Sequence, residues 1–295
     1  MLKLLVTGGS GLLGNEVIKL GVERGYQIHS IYNEHKINDG NPIQLDLIES
    51  NKIQKIVSNL KPDAIIHTAA YTDVDGCEVN KNYAWKANAE VLKTLASTSD
   101  TFDTHLIYVS SDYVFDGENG NYSETDTPNP ISYYGYTKLM GEKYVQEISA
   151  KWCIARTSVI YGRGFEYKLN FATWMIQELL KERQVKLLLD QFVSPTMNRN
   201  LAEMLLEIAE RKITGIVHTS GATKVSRNEF GIKLSEKLNL DKNLIKSSFM
   251  KEMLWKAKRP RDSSLNVKKA LVLLNAKPLK LDDSLNILKK ELAIR

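Results

Sequence analysis

Lys3-Leu4-Leu5-Val6-Thr7-Gly8-Gly9-Ser10-Gly11-Leu12-Leu13-Gly14 decides how the rest of the chain is read. Five residues, mostly apolar, run into a turn with glycines at 8, 11 and 14. A helical pattern follows through Val17, Ile18 and Leu20 to Gly25, and Gln27 to Tyr32 makes a second strand. Strand, glycine turn, helix and strand together give a glycine motif its meaning. The glycines let the turn close, let backbone N–H groups approach a pyrophosphate, and let the helix pack on the strand. The helix N-terminus adds partial positive charge for the phosphates. A dinucleotide site at the head of an α/β sheet is therefore expected.

Outward from this turn the alternation continues. Ile43 to Leu47 reads as a third strand with Asp46 at its carboxyl end. Ile53, Ile56, Val57 and Leu60 recur at helical spacing, and Lys61-Pro62 ends that helix. Asp63 to His67 is a fourth strand, followed by the small residues Thr68, Ala69 and Ala70, which let a flat cofactor approach the backbone. Asn88, in the next helix, is either solvated or turned toward that cleft. Leu106 to Val109 is a fifth strand, apolar throughout as burial on both faces requires. It delivers Ser110 and Ser111 at the carboxyl end, where open parallel sheets bind ligands. Trp152 to Arg156 is a sixth strand. Beyond it the alternation breaks down, although Ile216 to His218 returns as a strand. The fold class expected is a doubly wound Rossmann-type parallel sheet, residues 1–160, with a smaller, interleaved substrate lobe over residues 161–295.

The ribose end bears on cofactor choice. An acidic residue about 20 positions past the glycines would accept the 2′-hydroxyl of NAD. Here the second strand ends Tyr32-Asn33-Glu34-His35-Lys36. His35 and Lys36 suit the 2′-phosphate of NADPH, while Glu34 keeps NADH open.

The reacting groups are sought in Tyr133-Tyr134-Gly135-Tyr136-Thr137-Lys138. On a helix, positions four apart share a face, so Tyr134 is the phenol that stacks with Lys138. A phenol of pKa about 10 is a weak acid at pH 7. A nearby ammonium lowers that value and makes the phenol usable in proton transfer.

Composition bounds the alternatives. The chain has 295 residues, 43% hydrophobic and 25% charged, as in an ordinary globular protein. No apolar run approaches the roughly 18 residues of a membrane span, and Met1 to Val6 reads as a first strand instead of a signal leader. Cys77 and Cys153 lack metal spacing and fit a reducing cytoplasm. Net charge is +5, with lysines and arginines dense between Lys242 and Lys269. A solvated surface or attraction for an anionic ligand explains them. Nucleic-acid binding is not expected, because no stacking aromatic platform accompanies the charge.

Gly8/Gly11/Gly14, Ser111, Tyr134 and Lys138 together resemble the extended short-chain dehydrogenase/reductase superfamily. Longer strings narrow the likeness: Ala69-Ala70-Tyr71-Thr72-Asp73-Val74-Asp75, Ser110-Ser111-Asp112-Tyr113-Val114-Phe115-Asp116-Gly117, Tyr134 to Glu142, Arg156-Thr157-Ser158, and Asp190-Gln191 with Pro195-Thr196. These resemble the dTDP-4-dehydrorhamnose reductases, and also their relative, the regulatory β subunit of methionine adenosyltransferase.

The resemblance implies an NADPH-dependent reduction of a 4-keto sugar nucleotide, dTDP-4-dehydro-L-rhamnose, to dTDP-L-rhamnose. Tyr134 would be the general acid, Lys138 its helper and ribose contact, and Ser111 a hydrogen-bond donor to the carbonyl. Gly8, Gly11 and Gly14, with Ser10, Leu12 and Leu13, would hold the pyrophosphate. Tyr32, Asn33, Asp46 and Leu47 would flank the adenosine end; Ala69, Ala70, Tyr71 and Asn88 would line the cleft. Tyr113, Asn170, Gln191 and Arg259 would face the dTDP-sugar. No metal is implied, and a homodimer is allowed. Two positions depart from the pattern: Val159 stands where these reductases often carry a tryptophan, and Gly76 where a lysine is common. The rival implication is a cofactor-binding regulatory subunit with little turnover.

Overall fold

Successive residues of the first strand point to opposite sides, and both sides are apolar, so it has to be covered on two faces. The computed structural model describes residues 1–164 and 168–292. In β1 (Lys3–Thr7), Leu4 and Val6 lie in one core and Leu5 in the other, all fully buried. The first half adds β2 (Gln27–Tyr32), β3 (Asn41–Gln44), β4 (Ala64–His67), β5 (His105–Ser111) and β6 (Trp152–Thr157). Between them run α1 (Leu12–Glu23), α2 (Ser50–Leu60), α3 (Val74–Val79), α4 (Lys81–Trp85), α5 (Val91–Thr101) and α6 (Tyr133–Ile148), with a π-helical turn, Lys86–Glu90, joining α4 to α5.

The second half is more broken. It contains β7 (Ile160–Tyr161), α7 (Phe171–Leu180), β8 (Val185–Leu188), β9 (Phe192–Val193), β10 (Thr196–Met197), α8 (Asn198–Arg211), β11 (Gly215–His218), β12 (Val225–Ser226), α9 (Arg227–Leu238), β13 (Ile245–Ser248), α10 (Lys268–Leu273) and α11 (Leu281–Leu292). The sheet is seven-stranded and parallel throughout, in the order β11-β6-β5-β4-β1-β2-β3. This is the expected doubly wound Rossmann-type architecture.

The direction of winding reverses between β1 and β4, and there the carboxyl ends open a crevice for a ligand. One face of the sheet is covered by α1 and α8, whose Val17, Ile18, Leu201 and Leu205 join Leu4 and Val6. The other carries α2, α5 and α6 around Leu5, Ile65 and Ile154. Interleaving is visible in the sheet itself: β11 pairs with β6 in register from Gly215–Cys153 to His218–Arg156. A separate core gathers Tyr161, Met175, Ile176, Leu187, Phe230, Leu234 and Leu285 from β7, α7, β8, α9 and α11. Among the described residues no helix is long and apolar enough to cross a membrane.

Two strands differ by more than one residue from the sequence reading. The third ends at Gln44 and not at Leu47. Leu45 N–H still bonds Tyr32 O at 2.9 Å, but the Asp46 carboxylate then accepts the Ile48 N–H at 3.0 Å and turns the chain. The fifth runs on through Ser111, because Ser110 and Ser111 stay in register with Arg156 and Thr157 of β6.

Candidate active site

The glycine turn builds its own cradle. Gly8 has φ +70°, in the left-handed region that costs glycine little, and a Cβ there would stand 2.7 Å from Ala69 N across the switch point. A Cβ on Gly14 would fall 2.2 Å from Gly8 O, so the turn and the helix start close only without side chains. Gly11 caps α1 with no side-chain hydrogen bond, leaving the first N–H groups of the helix directed at the crevice. No acidic residue occupies that first turn to compete with an anion. A cleft of about 790 Å³ runs from here, lined by Ser10, Leu12, Leu13, Tyr32, Asn33, Asp46 and Leu47 at one end and by Ala69, Ala70 and Tyr71 along its floor. Glu34 and His35 also line it. The donor set fits a dinucleotide: backbone N–H groups for a pyrophosphate, then a slot between the ends of β2 and β3.

Asn88 is not solvated. It is 1% exposed in the π-helical turn, and its side chain lies behind the cleft floor instead of lining it. The Asn88 amide accepts from Tyr71 N–H at 2.8 Å, donates to Tyr71 O at 3.0 Å and donates to Thr137 Oγ1 at 3.2 Å. Thr137 in turn donates to Tyr134 O at 2.8 Å. One buried amide thus fixes the segment after β4 to the helix that carries the tyrosine. Gly76 has a related cause: a Cβ there would stand 2.1 Å from the Tyr71 hydroxyl, so this Tyr71 placement excludes any side chain at position 76.

Tyr134 and Lys138 occupy α6, whose N-cap Ser132 accepts from Gly135 N–H at 3.2 Å. Both face the cleft with Ser111 and Tyr113. Gly135 is required where it stands, since a Cβ would be 2.1 Å from Tyr113 O and would push the helix off the turn that follows β5. The rings of Tyr113 and Tyr134 meet edge to face at 5.7 Å. Burial raises the Tyr134 pKa, and only a hydrogen bond with Ser111 offsets part of that rise. The lowering expected from Lys138 is absent. The Lys138 Nζ instead donates to Val109 O at 2.8 Å and lies 4.4 Å from the centre of the Tyr108 ring. Burial brings the Lys138 ammonium down to about 7, against the pull of Glu142 in the other direction. Tyr134 is therefore a protonated donor at neutral pH.

Ser111 Oγ donates to Asp112 Oδ1 at 3.0 Å and accepts from Tyr113 N–H at 3.1 Å. The other oxygen of Asp112 accepts from Ser158 Oγ at 2.7 Å and Ser263 Oγ at 2.6 Å. Burial raises the Asp112 pKa, with the three seryl hydroxyls resisting. Asp112 thereby ties β5, the segment after β6 and the late loop into one wall. Behind that wall Glu142 and Arg156 form a fully buried bidentate pair at 2.9 and 2.7 Å, with Ser110 Oγ donating to Glu142 at 2.6 Å.

On the lobe side Asn170 lines the cleft, though its side chain is spent on capping α7 and donating to Gly162 O at 2.8 Å. Val159 lines it too. Gln191 and Arg259 do not form its wall. Gln191 is buried and bonds Tyr113 and Arg227, while Arg259 holds Asp75 at 3.1 Å and stacks on Trp255 at 4.9 Å. The structure adds residues that the sequence reading did not assign to the site: Ser158, Phe171 and Arg227 all line the cleft. A basic residue just after a Val-Ser pair carried no motif that could have drawn attention to it.

A family model described as the RmlD substrate binding domain matches residues 2–293. A protein of Haloferax volcanii named as the probable low-salt glycan biosynthesis reductase Agl14 is 36% identical over 266 residues, 89% of each chain. The crystal structure of a dTDP-4-dehydrorhamnose reductase from Bacillus anthracis in complex with NADP superposes with a TM-score of 0.89 at 29% identity, covering 99% of this chain and 100% of that one. The β subunit of methionine adenosyltransferase 2 from Bos taurus is 29% identical across 90% of this chain and 80% of its own length.

Proposed function

The chain belongs to the RmlD substrate-binding-domain family, and from that premise we propose that it reduces the C4 ketone of dTDP-4-dehydro-L-rhamnose to dTDP-L-rhamnose with NADPH. Its broader class is NAD(P)-dependent oxidoreductase. The observation that carries the reading is one cleft holding the Gly8–Gly14 cradle at one end and Ser111, Tyr134 and Lys138 at the other.

Gly8, Gly11 and Gly14 take the pyrophosphate, Tyr32, Asn33, Asp46 and Leu47 the adenosine end, and Ala69, Ala70 and Tyr71 the floor beneath the nicotinamide half. Asn88 acts by holding Tyr71 in place. NADPH, when bound, supplies the hydride for C4. Tyr134 gives its phenolic proton to the ketone oxygen as that oxygen becomes an alkoxide, and Ser111 donates a hydrogen bond to the same atom. The resulting phenolate stands one helical turn from the Lys138 ammonium, which keeps a donor for it beside the one given to Val109 O. Tyr113 and Asn170 border the sugar, with Gln191 and Arg259 supporting from behind. The lobe built around the separate core of β7, α7, β8, α9 and α11 receives the sugar nucleotide.

The test is initial-rate NADPH oxidation with dTDP-4-dehydro-L-rhamnose. Turnover is expected, and Tyr134→Phe should cut kcat by at least about 100-fold while NADPH fluorescence titration stays unchanged. Absence of turnover, or a Tyr134→Phe protein as active as the parent, would overturn the reading. A second reading is favoured by Val159, which leaves the cleft without the tryptophan these reductases often carry: a cofactor-binding regulatory subunit. Capture of a methionine adenosyltransferase catalytic chain by a protein that does not oxidise NADPH would establish that reading instead.

A further inference from the structure

We propose that Arg227 is the residue that receives the diphosphate of the sugar nucleotide, a role that rests on the reductase reading and deepens it. Arg227 is the first residue of α9 and projects into the cleft beside Phe171 and Tyr113. Its guanidinium is fixed on two sides. The Phe171 ring lies 4.9 Å from the guanidinium carbon, and Nε donates to Gln191 Oε1 at 3.2 Å. Gln191 also bonds the Tyr113 hydroxyl, so the clamp is built into the wall that faces Tyr134.

With Nε committed, the two terminal nitrogens remain. Among the described residues neither donates to a protein acceptor, and no carboxylate lies within ion-pair distance of them. Asp112 acts on Arg227 only through the longer-range field, and its own oxygens are taken by three serines. The contrast with Arg259 decides the matter. Arg259 spends both terminal nitrogens on Asp75 at 3.1 Å. Arg227 keeps its planar pair of donors for something that enters the cleft.

A partly buried guanidinium on a cleft wall, with no counter-ion of its own, offers its open donors and its charge to an anionic ligand. Two parallel N–H donors in one plane match the oxygens of a phosphate better than a hydroxyl or a lone carbonyl. The N-terminus of α9 cannot be the anion site in its place, since Ser226 and Glu229 close it as a capping box. Placement also fits. The cofactor cradle lies on β1 and α1, the proton donor on α6, and Arg227 on the lobe, so a sugar held between Tyr134 and the lobe carries its diphosphate toward α9.

The experiment is calorimetric titration of the NADP-loaded protein with dTDP, UDP, thymidine and uridine, for the parent, Arg227→Gln and Arg227→Lys. The parent should bind the diphosphates more tightly than the nucleosides. Arg227→Gln should lose about 10- to 100-fold of diphosphate affinity with nucleoside and NADP affinities unchanged, and Arg227→Lys should recover part of it. A folded, NADP-binding Arg227→Gln protein that binds dTDP and UDP as the parent does would overturn the assignment and leave the reductase reading intact. If the parent binds neither diphosphate, the sugar-nucleotide reading itself falls, and the role of Arg227 with it.

Discussion

Glu142→Gln is the substitution whose cost follows most directly from the structure. The Glu142 carboxylate accepts three hydrogen bonds, from Ser110 Oγ and from two nitrogens of Arg156, at 2.6, 2.9 and 2.7 Å. The two charged side chains are 1% and 2% exposed. Gln preserves the shape but presents an NH2 group to one arm of the guanidinium and removes the negative charge. Arg156 then stays buried, with Nη1 already unbonded and only the Phe115 ring, 5.2 Å away, to soften its charge. Breaking a buried pair by removing one partner costs about 3–5 kcal/mol, which corresponds to a fall in Tm of roughly 5–8 °C for a chain of this size. Urea unfolding followed by far-UV circular dichroism reads the shift in midpoint. The double variant Glu142→Leu/Arg156→Met removes both charges and should regain most of the loss. A Glu142→Gln protein within about 1 kcal/mol of the parent would refute the reasoning. There is a functional side as well: Glu142 is what supports the Lys138 ammonium against burial, so the pH above which the rate declines should move down in any folded Glu142→Gln protein.

Lys138 itself predicts a stability profile. Its folded pKa is about 7 against an ordinary 10.5, so between these values the unfolded chain binds a proton that the folded one does not. Stability should therefore rise with pH across that window, and Lys138→Met should flatten the rise in urea midpoints between pH 7 and pH 10. Asn88→Ala leaves Tyr71 N–H without its partner and Tyr71 C=O with only the weak Cys77 Sγ donor and should cost about 2–3 kcal/mol in thermal unfolding, with a raised KM for NADPH; an unchanged KM would remove Asn88 from the support of the cleft. Gly14→Ala places a methyl 2.2 Å from Gly8 O and should lower NADPH affinity at least about 10-fold in a fluorescence titration, because the cradle has to open to admit it.

How much of this was legible depended on whether a residue's partner lay nearby in sequence. The glycine turn, the tyrosine and lysine on one helical face, and the serines after an apolar strand are all local patterns, and the structure gathers them in one cleft. Tyr134 shares the cleft with Lys138, as the four-residue spacing implies, and there it also meets Ser111. What failed was electrostatic. Spacing puts Lys138 under Tyr134, but it cannot reveal that Val109 O, 29 residues away, takes the ammonium. Asn88 was left between two readings because its partners, Tyr71 and Thr137, lie 17 and 49 residues off. As sequence, Arg259 and Arg227 are each simply an arginine in the second half of the chain. Only the fold shows that Asp75, 184 residues away, occupies the first.

The place of β11 and α8 bears on how the chain can be made. One apolar face of the sheet is closed by α8 packing against α1, and its edge by β11 pairing with β6. Both arrive only after residue 197, whereas every other strand of the sheet has been synthesised by residue 157. A ribosome moving at roughly 5–20 residues per second therefore exposes Leu4, Val6, Ile66 and Ile107 to the crowded cell for several seconds before their cover emerges. During that interval the bare strand edge of β6 can pair with any other nascent chain. Expression as a fragment ending near residue 160 would make the interval permanent, and slowing translation between residues 160 and 220 would lengthen it, so yield should depend on codon choice and holding chaperones across that window more than anywhere else in the message.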